Sequence, residues 1–283
     1  MLSYRHAFHA GNHADVLKHL VEIVLLRYLA QKDKAFWYID THASAGAYSL
    51  DSGYATQNAE YESGIAHLWN RSDLPAALAD YVEQVQRLNP DGVLRHYPGS
   101  PLIAQALLRP QDRLRLFELH PADFELLQRN FAAHADVCQV RRSDGFAGLK
   151  AVLPPAPRRG LILIDPPYED KQDYQHVVHG LRDGLQRFAN GVYAIWYPRL
   201  QRPEPLKMLQ QLKQLPLKSW LHVALDVHAP CEDGFGMHGS GMFVINPPWT
   251  LHGTLATCMP VLAESLAQDS QAHFVLEHEE RNA

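Results

Sequence analysis

Apolar residues at Val16, Leu17, Leu20, Val21, Val24 and Leu25 recur at intervals of three and four, which predicts a helix over 14–29 with one buried stripe. Downstream the pattern changes. Short apolar runs at 35–39, 114–117, 137–141 and 161–164 are separated by helical patterns such as Phe124, Leu127, Gln128 and Phe131. Strands alternating with helices predict a doubly wound, mostly parallel sheet. Three of these runs end directly in an acid, at Asp40, Glu118 and Asp165, and the run at 137–141 leads to Asp144-Gly145. Ligands of such sheets lie beyond the carboxyl ends of the strands, so all four acids are expected to face one crevice.

After Asp165 the pattern predicts a helix to about residue 188, a strand at 192–197 and a helix over 204–215. Two strands follow, at 220–227 and 241–245, joined by the glycine-rich Glu232-Asp233-Gly234-Phe235-Gly236. A hairpin connects them most simply. A parallel sheet closed by an antiparallel hairpin is the plan of an α/β, class I Rossmann-like methyltransferase occupying residues 1–283. Residues 51–95, with Ile65, Leu68, Trp69, Leu78, Tyr81, Val82, Val85 and Leu88 at helical spacing, predict a small helical insertion. The polar segment from about Gln268 is expected to fray.

Composition narrows the class without naming a function. Hydrophobic residues at 46% and charged residues at 20% belong to an ordinary globular chain, which excludes a disordered or fibrous protein. The formal charge of -5 supplies no global attraction for phosphate, so a basic footprint has to be local. Arg141-Arg142 and Arg158-Arg159 are read as solvated surface. Cys138, Cys231 and Cys258 form no paired motif, and the N-terminus is polar, so a cytoplasmic protein with reduced thiols is expected. Nothing points to a membrane or to an obligate protein partner.

The chemistry concentrates at Asp165-Pro166-Pro167-Tyr168, delivered by Leu161-Ile162-Leu163-Ile164 to the ligand end of the sheet. An adenine amino group is a poor nucleophile because its lone pair is delocalised into the ring. If the Asp165 carboxylate and the Pro166 carbonyl each accept one amino hydrogen, the nitrogen turns pyramidal and its lone pair becomes available. The prolines fix that backbone. Tyr168 is expected to stack the flipped-out base. The methyl donor implied is S-adenosyl-L-methionine, leaving S-adenosyl-L-homocysteine, and no metal is required. Glu118 is placed to accept hydrogen bonds from ribose hydroxyls, Asp144 to meet the adenine side of that donor, and the small-residue loop from His42 to Gly46 to approach its methionine portion. That loop lacks the Gly-x-Gly-x-x-Gly of a dehydrogenase. A second Pro-Pro motif, Asn246-Pro247-Pro248-Trp249, ends a strand expected to run antiparallel, which puts it at the far edge as a turn with a packed Trp. His9 and His13 have metal-compatible helical spacing but no carboxylate or thiolate that completes a set. Lys18 and His19 are expected near an anionic carboxylate or the substrate backbone.

Tyr4-Arg5-His6, His9-Ala10-Gly11-Asn12, Ala14-Asp15-Val16-Leu17-Lys18-His19, Asp40-Thr41-His42-Ala43, Tyr97-Pro98-Gly99-Ser100-Pro101-Leu102, Glu118-Leu119-His120-Pro121, Asp144-Gly145, the segment 159–168, and Gly241-Met242 with Ile245-Asn246-Pro247-Pro248-Trp249 together resemble the bacterial large-subunit ribosomal RNA methyltransferase J family. The resemblance runs over nearly the whole chain. It implies N6-methylation of one adenine in 23S ribosomal RNA by a Rossmann-like fold with a helical insertion. It further implies cofactor binding by His19, His42, Ser100, Glu118, Asp144, Gly145 and Asp165, catalysis by Asp165, and a place for Tyr4 and Lys18 near the RNA or the reacting groups. Ser44 and Ala47 depart from the family pattern, which favours Gly and Arg there. The competing readings are the same chemistry on DNA and a nucleic-acid-binding protein that keeps the fold without turnover.

Overall fold

The computed structural model describes residues 5–51 and 58–280. Its first helix, His13–Ala30 (α1), opens on Asn12, whose side chain accepts hydrogen bonds from the N–H groups of Ala14 and Asp15. Those are donors that a helix start otherwise leaves unpaired. The single buried stripe expected of α1 proves too narrow. Burial runs round most of the helix and takes in Asp15, Lys18, His19 and Glu22. The sheet, the insertion and a later helix all pack on it.

Five parallel strands follow the predicted runs: Trp37–Asp40 (β1), Arg113–Glu118 (β4), Cys138–Arg142 (β5), Gly160–Ile164 (β6) and Val192–Arg199 (β7). Between β1 and β4, the short strands Ala47–Ser49 (β2) and His96–Pro98 (β3) pair as a separate antiparallel ribbon. The described part of the insertion, 58–95, carries the 3-10 turns Glu60–Ser63 and Ile65–His67 and the helix Ala76–Gln86 (α2), which packs on α1. Helices Ser100–Leu107 (α3), Pro121–Asn130 (α4), Gly145–Val152 (α5), Asp173–Arg187 (α6) and Pro203–Lys213 (α7) complete the alternation. Strands Ser219–Asp226 (β8) and Gly239–Ile245 (β9) form the expected antiparallel hairpin, with β9 also antiparallel to β7. This is the class I Rossmann-like methyltransferase plan. The chain steps outward from β1 through β4 to β5 and then returns to β6 on the other side of β1. That reversal opens a crevice at the carboxyl ends of β1, β4 and β6.

Two features at the C-terminal end correct the sequence reading. Residues 251–265 form a helix, Leu251–Ser265 (α8), and the segment expected to fray instead makes an eighth strand, His273–Glu280 (β10), paired with β8 at the sheet edge. Leu251, Leu255, Cys258, Met259 and Leu262 do form a buried helical stripe, but Pro260 interrupts its appearance in sequence. As an edge strand with a largely accessible face, β10 rests on its backbone ladder more than on apolar burial. At the end of β9, the Asn246 amide donates to the carbonyls of Ala189 and Gly191 at 2.8 and 2.7 Å, far from the crevice. Trp249, expected to pack in that turn, is 84% exposed. Among the described residues no helix is long and apolar enough to cross a membrane.

Glycine sets how closely α5 lies on the sheet. A Cβ at Gly148 would stand 2.4 Å from the Phe117 ring on β4, whereas one at Gly253 on α8 would meet nothing within 4 Å. Gly148→Ala is therefore expected to lose about 1–3 kcal/mol of stability by overpacking, and Gly253→Ala to gain about 0.4–1 kcal/mol through the unfolded chain. Urea unfolding of the two variants checks the opposite signs.

Candidate active site

A cavity of about 930 Å³ lies across the carboxyl ends of β1, β4 and β6, within the usual size of small-molecule sites. A second, of about 220 Å³, is walled by the start of α1 and the ends of β6 and β7. Lys18, Asp165 and Pro167 line both. Asp165 thus stands where the two spaces meet.

Asp165 leaves β6 with 16% of its side chain accessible, and its Oδ2 accepts a hydrogen bond from Lys18 Nζ at 2.6 Å. The same ammonium lies 3.0 Å from Asp15 Oδ1, one helical turn away on α1. Burial alone would discharge Lys18, but Asp15 and Asp165 together hold its pKa well above the ordinary lysine value. Asp15 is buried too, yet His6 and Lys18 keep its carboxyl well below the usual range. Its Oδ2 also accepts the Gly11 N–H and lies 2.9 Å from His6 Nε2. The stretch before α1 is thereby tied to the ion pair.

Beyond Asp165, Pro166 and Pro167 fix the chain, and Tyr168 sits at φ +52°, a conformation few side chains adopt. The Tyr168 hydroxyl donates to the Trp196 carbonyl at 2.7 Å, and its ring centroid is 4.5 Å from that of Tyr174. Only 4% of Tyr168 is accessible, so the open stacking face expected of it is not presented. It acts as a post that braces the Pro-Pro turn and supplies a small part of the second cavity's wall. Trp196, less deeply buried, is the second aromatic in that wall.

The larger cavity is bordered by His19, His42, Ser100, Glu118, Asp144, Gly145 and Pro166, together with Lys18 and Asp165. Glu118 at the end of β4 accepts the N–H groups of Ser44 at 2.7 Å and His120 at 2.6 Å. Burial pushes its pKa up to about 7 despite those donors. Ser44 holds φ +49°, a backbone state that glycine adopts without strain, at the position where the family pattern favours Gly. Asp144 caps α5 through the Ala147 N–H at 2.7 Å. Gly145 follows it because a Cβ there would lie 2.0 Å from the Thr41 carbonyl oxygen. His19 is buried and neutral, its pKa lowered to about 3 by burial; Nδ1 meets the Tyr97 hydroxyl at 2.8 Å, and Nε2 has no hydrogen-bond partner.

One of the four acids does not face the crevice. Asp40 turns inward, fully buried, where it accepts the Ser100 hydroxyl at 2.7 Å, the Tyr38 hydroxyl at 3.1 Å and the His42 N–H at 3.1 Å. It shapes the loop after β1 instead of lining the cavity. Tyr4 lies outside the described residues. His9 pairs with Glu60 at 2.9 Å, and among the described residues no group of three or more His, Cys, Asp or Glu side chains is arranged to hold a metal. Asp15 and Trp196 were missed in sequence. The i, i+3, i+4 spacing of Asp15, Lys18 and His19 was the available signal, since it puts three titratable groups on one helix face.

The family model described as ribosomal RNA large subunit methyltransferase D, RlmJ, matches residues 33–278. The chain is 50% identical over 273 residues to the ribosomal RNA large subunit methyltransferase J of Escherichia coli, covering 96% of this chain and 97% of that protein. It is 47% identical over 278 residues to the protein of the same name from Haemophilus influenzae, covering 98% of each. A crystal structure of a Legionella pneumophila protein superposes with a TM-score of 0.88 at 34% identity, covering 95% of this chain and 98% of that one. With a full-length match to named relatives and the crevice of a methyltransferase fold, the chain belongs to the RlmJ family of ribosomal RNA large subunit methyltransferases.

Proposed function

We propose that the protein transfers a methyl group from S-adenosyl-L-methionine to the N6 amino group of an adenine in 23S ribosomal RNA, working in the cytoplasm. The observation that carries this reading is the position of Asp165 between two cavities of different size. The larger has the chemistry of a nucleoside site: the Glu118 carboxylate for ribose hydroxyls, Lys18 and His19 in the wall near an amino-acid carboxylate, and a small-residue loop that admits close backbone contact. The residues present fit the donor. When bound, it supplies a methyl already activated by an adjacent sulfonium charge.

The chain's own work is then orientation. Asp165 Oδ and the Pro166 carbonyl accept the two amino hydrogens of a base seated in the smaller cavity, and the prolines hold both acceptors in place. Lys18 keeps one carboxylate oxygen engaged, which limits how the other can turn. Tyr168 and Trp196 wall the base site. The names of the E. coli and H. influenzae relatives support ribosomal RNA as the substrate.

Transfer of labelled methyl to unmodified 23S ribosomal RNA, with single-stranded DNA of equal sequence beside it, tests the substrate. Label in RNA as N6-methyladenosine, and not in DNA, is expected; label only in DNA would overturn the RNA reading. Asp165→Ala should lower kcat by about 10²–10⁴-fold, and full activity in that variant would contradict the mechanism. A further expectation concerns pH. The ionised Glu118 is the better acceptor for ribose hydroxyls, and its pKa is about 7. Cofactor affinity should therefore be full above that value and fall as pH drops through it, by up to about tenfold per unit. Calorimetric titration should find this slope absent in Glu118→Gln, with affinity low throughout.

A further inference from the structure

Several arginines on this protein pair with an acid, as Arg27 does with Asp80, Arg87 with Glu83 and Arg199 with Asp226. The four on β4 and β5 do not, and three of them share one face of the sheet. Arg113 and Arg115 project from one face of β4, two residues apart, and Arg141 joins that face on β5, where it stands opposite Phe117. Among the described residues none of the three has a carboxylate within ion-pair distance. The guanidinium groups of Arg113 and Arg115 donate to backbone carbonyls, those of Pro110 and Asp112 and that of Leu114.

The strip is open for a structural reason. β5 is the last strand, so nothing pairs beyond it. Helix α5 covers Phe117 through Gly148 and ends at Val152, leaving Arg115 partly accessible with its guanidinium 4.1 Å over the Trp37 ring and Arg141 exposed. Stacking of that kind holds the charge at a fixed place while its N–H groups remain available. Arg141 and Arg113 also lie near enough to disfavour the charge on Arg115, after the effect of its partial burial. Like charges crowded without a counter-charge, on a chain of net charge -5, call for an anion from outside.

We propose that Arg113, Arg115 and Arg141 form a phosphate-binding strip along the β4–β5 edge, on which the backbone of the substrate RNA lies as it approaches the cavity. Residues two apart on a strand are about 6.6 Å apart, comparable to successive phosphates of an RNA strand. The strip climbs toward the crevice, since Arg141 is followed three residues later by Asp144 at the cavity rim. The contacts are to phosphate, so they position the RNA without reading its sequence. This proposal rests on ribosomal RNA being the substrate.

The test is binding of an unmodified 23S fragment, one that the wild-type protein methylates, followed by anisotropy between about 50 and 200 mM salt. In R115A/R141A, affinity at the low-salt end should fall about tenfold or more, and the slope of log affinity against log salt should shrink by about one per arginine removed. R115K/R141K should keep most of the slope. Unchanged cofactor binding by R115A/R141A shows that the fold is intact. Equal affinity and slope in wild type and R115A/R141A would overturn the strip while leaving the substrate assignment standing. If the wild-type protein proves to bind and methylate no unmodified 23S fragment, including full-length 23S RNA, both the strip and the substrate assignment are overturned.

Discussion

The site depends on one buried ammonium. Lys18 lies between Asp15 and Asp165, and three charges withdrawn from water are tolerable only because each has its partners. Removing any one leaves a charge without compensation in a poorly hydrated place. The arrangement explains why α1 carries polar residues on a face packed against the sheet. It also joins parts of the chain that are far apart in sequence: Gly11 and His6 hold Asp15, Asp15 and Lys18 share α1, and Asp165 ends β6. The wall before α1 and the motif after β6 are set by the same contact.

From that contact the division of labour in the proposed reaction follows. Asp165 is placed as an acceptor beside a fixed cation, and the proton that the amino nitrogen sheds once methylated leaves along such an accepting hydrogen bond toward solvent. Glu118 sits on the other side of the larger cavity under different conditions, with two backbone donors but no cation, and burial pushes it toward neutrality. Two carboxylates at the ends of parallel strands on either side of β1 thus have different electrostatics. The inward-facing Asp40 is a third case, holding Ser100, Tyr38 and the His42 backbone in register.

Much of this could be read from local pattern. The parallel strands were visible because each is a short apolar run bounded by turn residues, and Asp165-Pro166-Pro167-Tyr168 because it follows such a run directly. The far-edge placement of Asn246 followed from strand direction alone. What escaped depends on contacts between distant segments. Asp15 is flanked by apolar residues, and its value appears only when Lys18 meets Asp165. The direction in which Asp40 points depends on Ser100, sixty residues later. The smaller cavity is assembled from the start of α1, the turn after β6, the end of β7 and the loop before β9, so no single stretch announces it. Tyr168 was taken for an open platform because Tyr in that motif suggests stacking; its hydroxyl bond to Trp196 draws it into the core. Strand β10 was lost because an edge strand with an exposed face carries little hydrophobic signal.

The central claim is geometric, and a crystal structure with S-adenosyl-L-homocysteine and adenosine monophosphate tests it most directly. The account predicts the cofactor product in the larger cavity with its ribose at Glu118. The adenine should occupy the smaller one, its amino nitrogen about 3 Å from both an Asp165 carboxylate oxygen and the Pro166 carbonyl. An adenine bound with its amino group turned away from Asp165, or seated outside the smaller cavity, would contradict it.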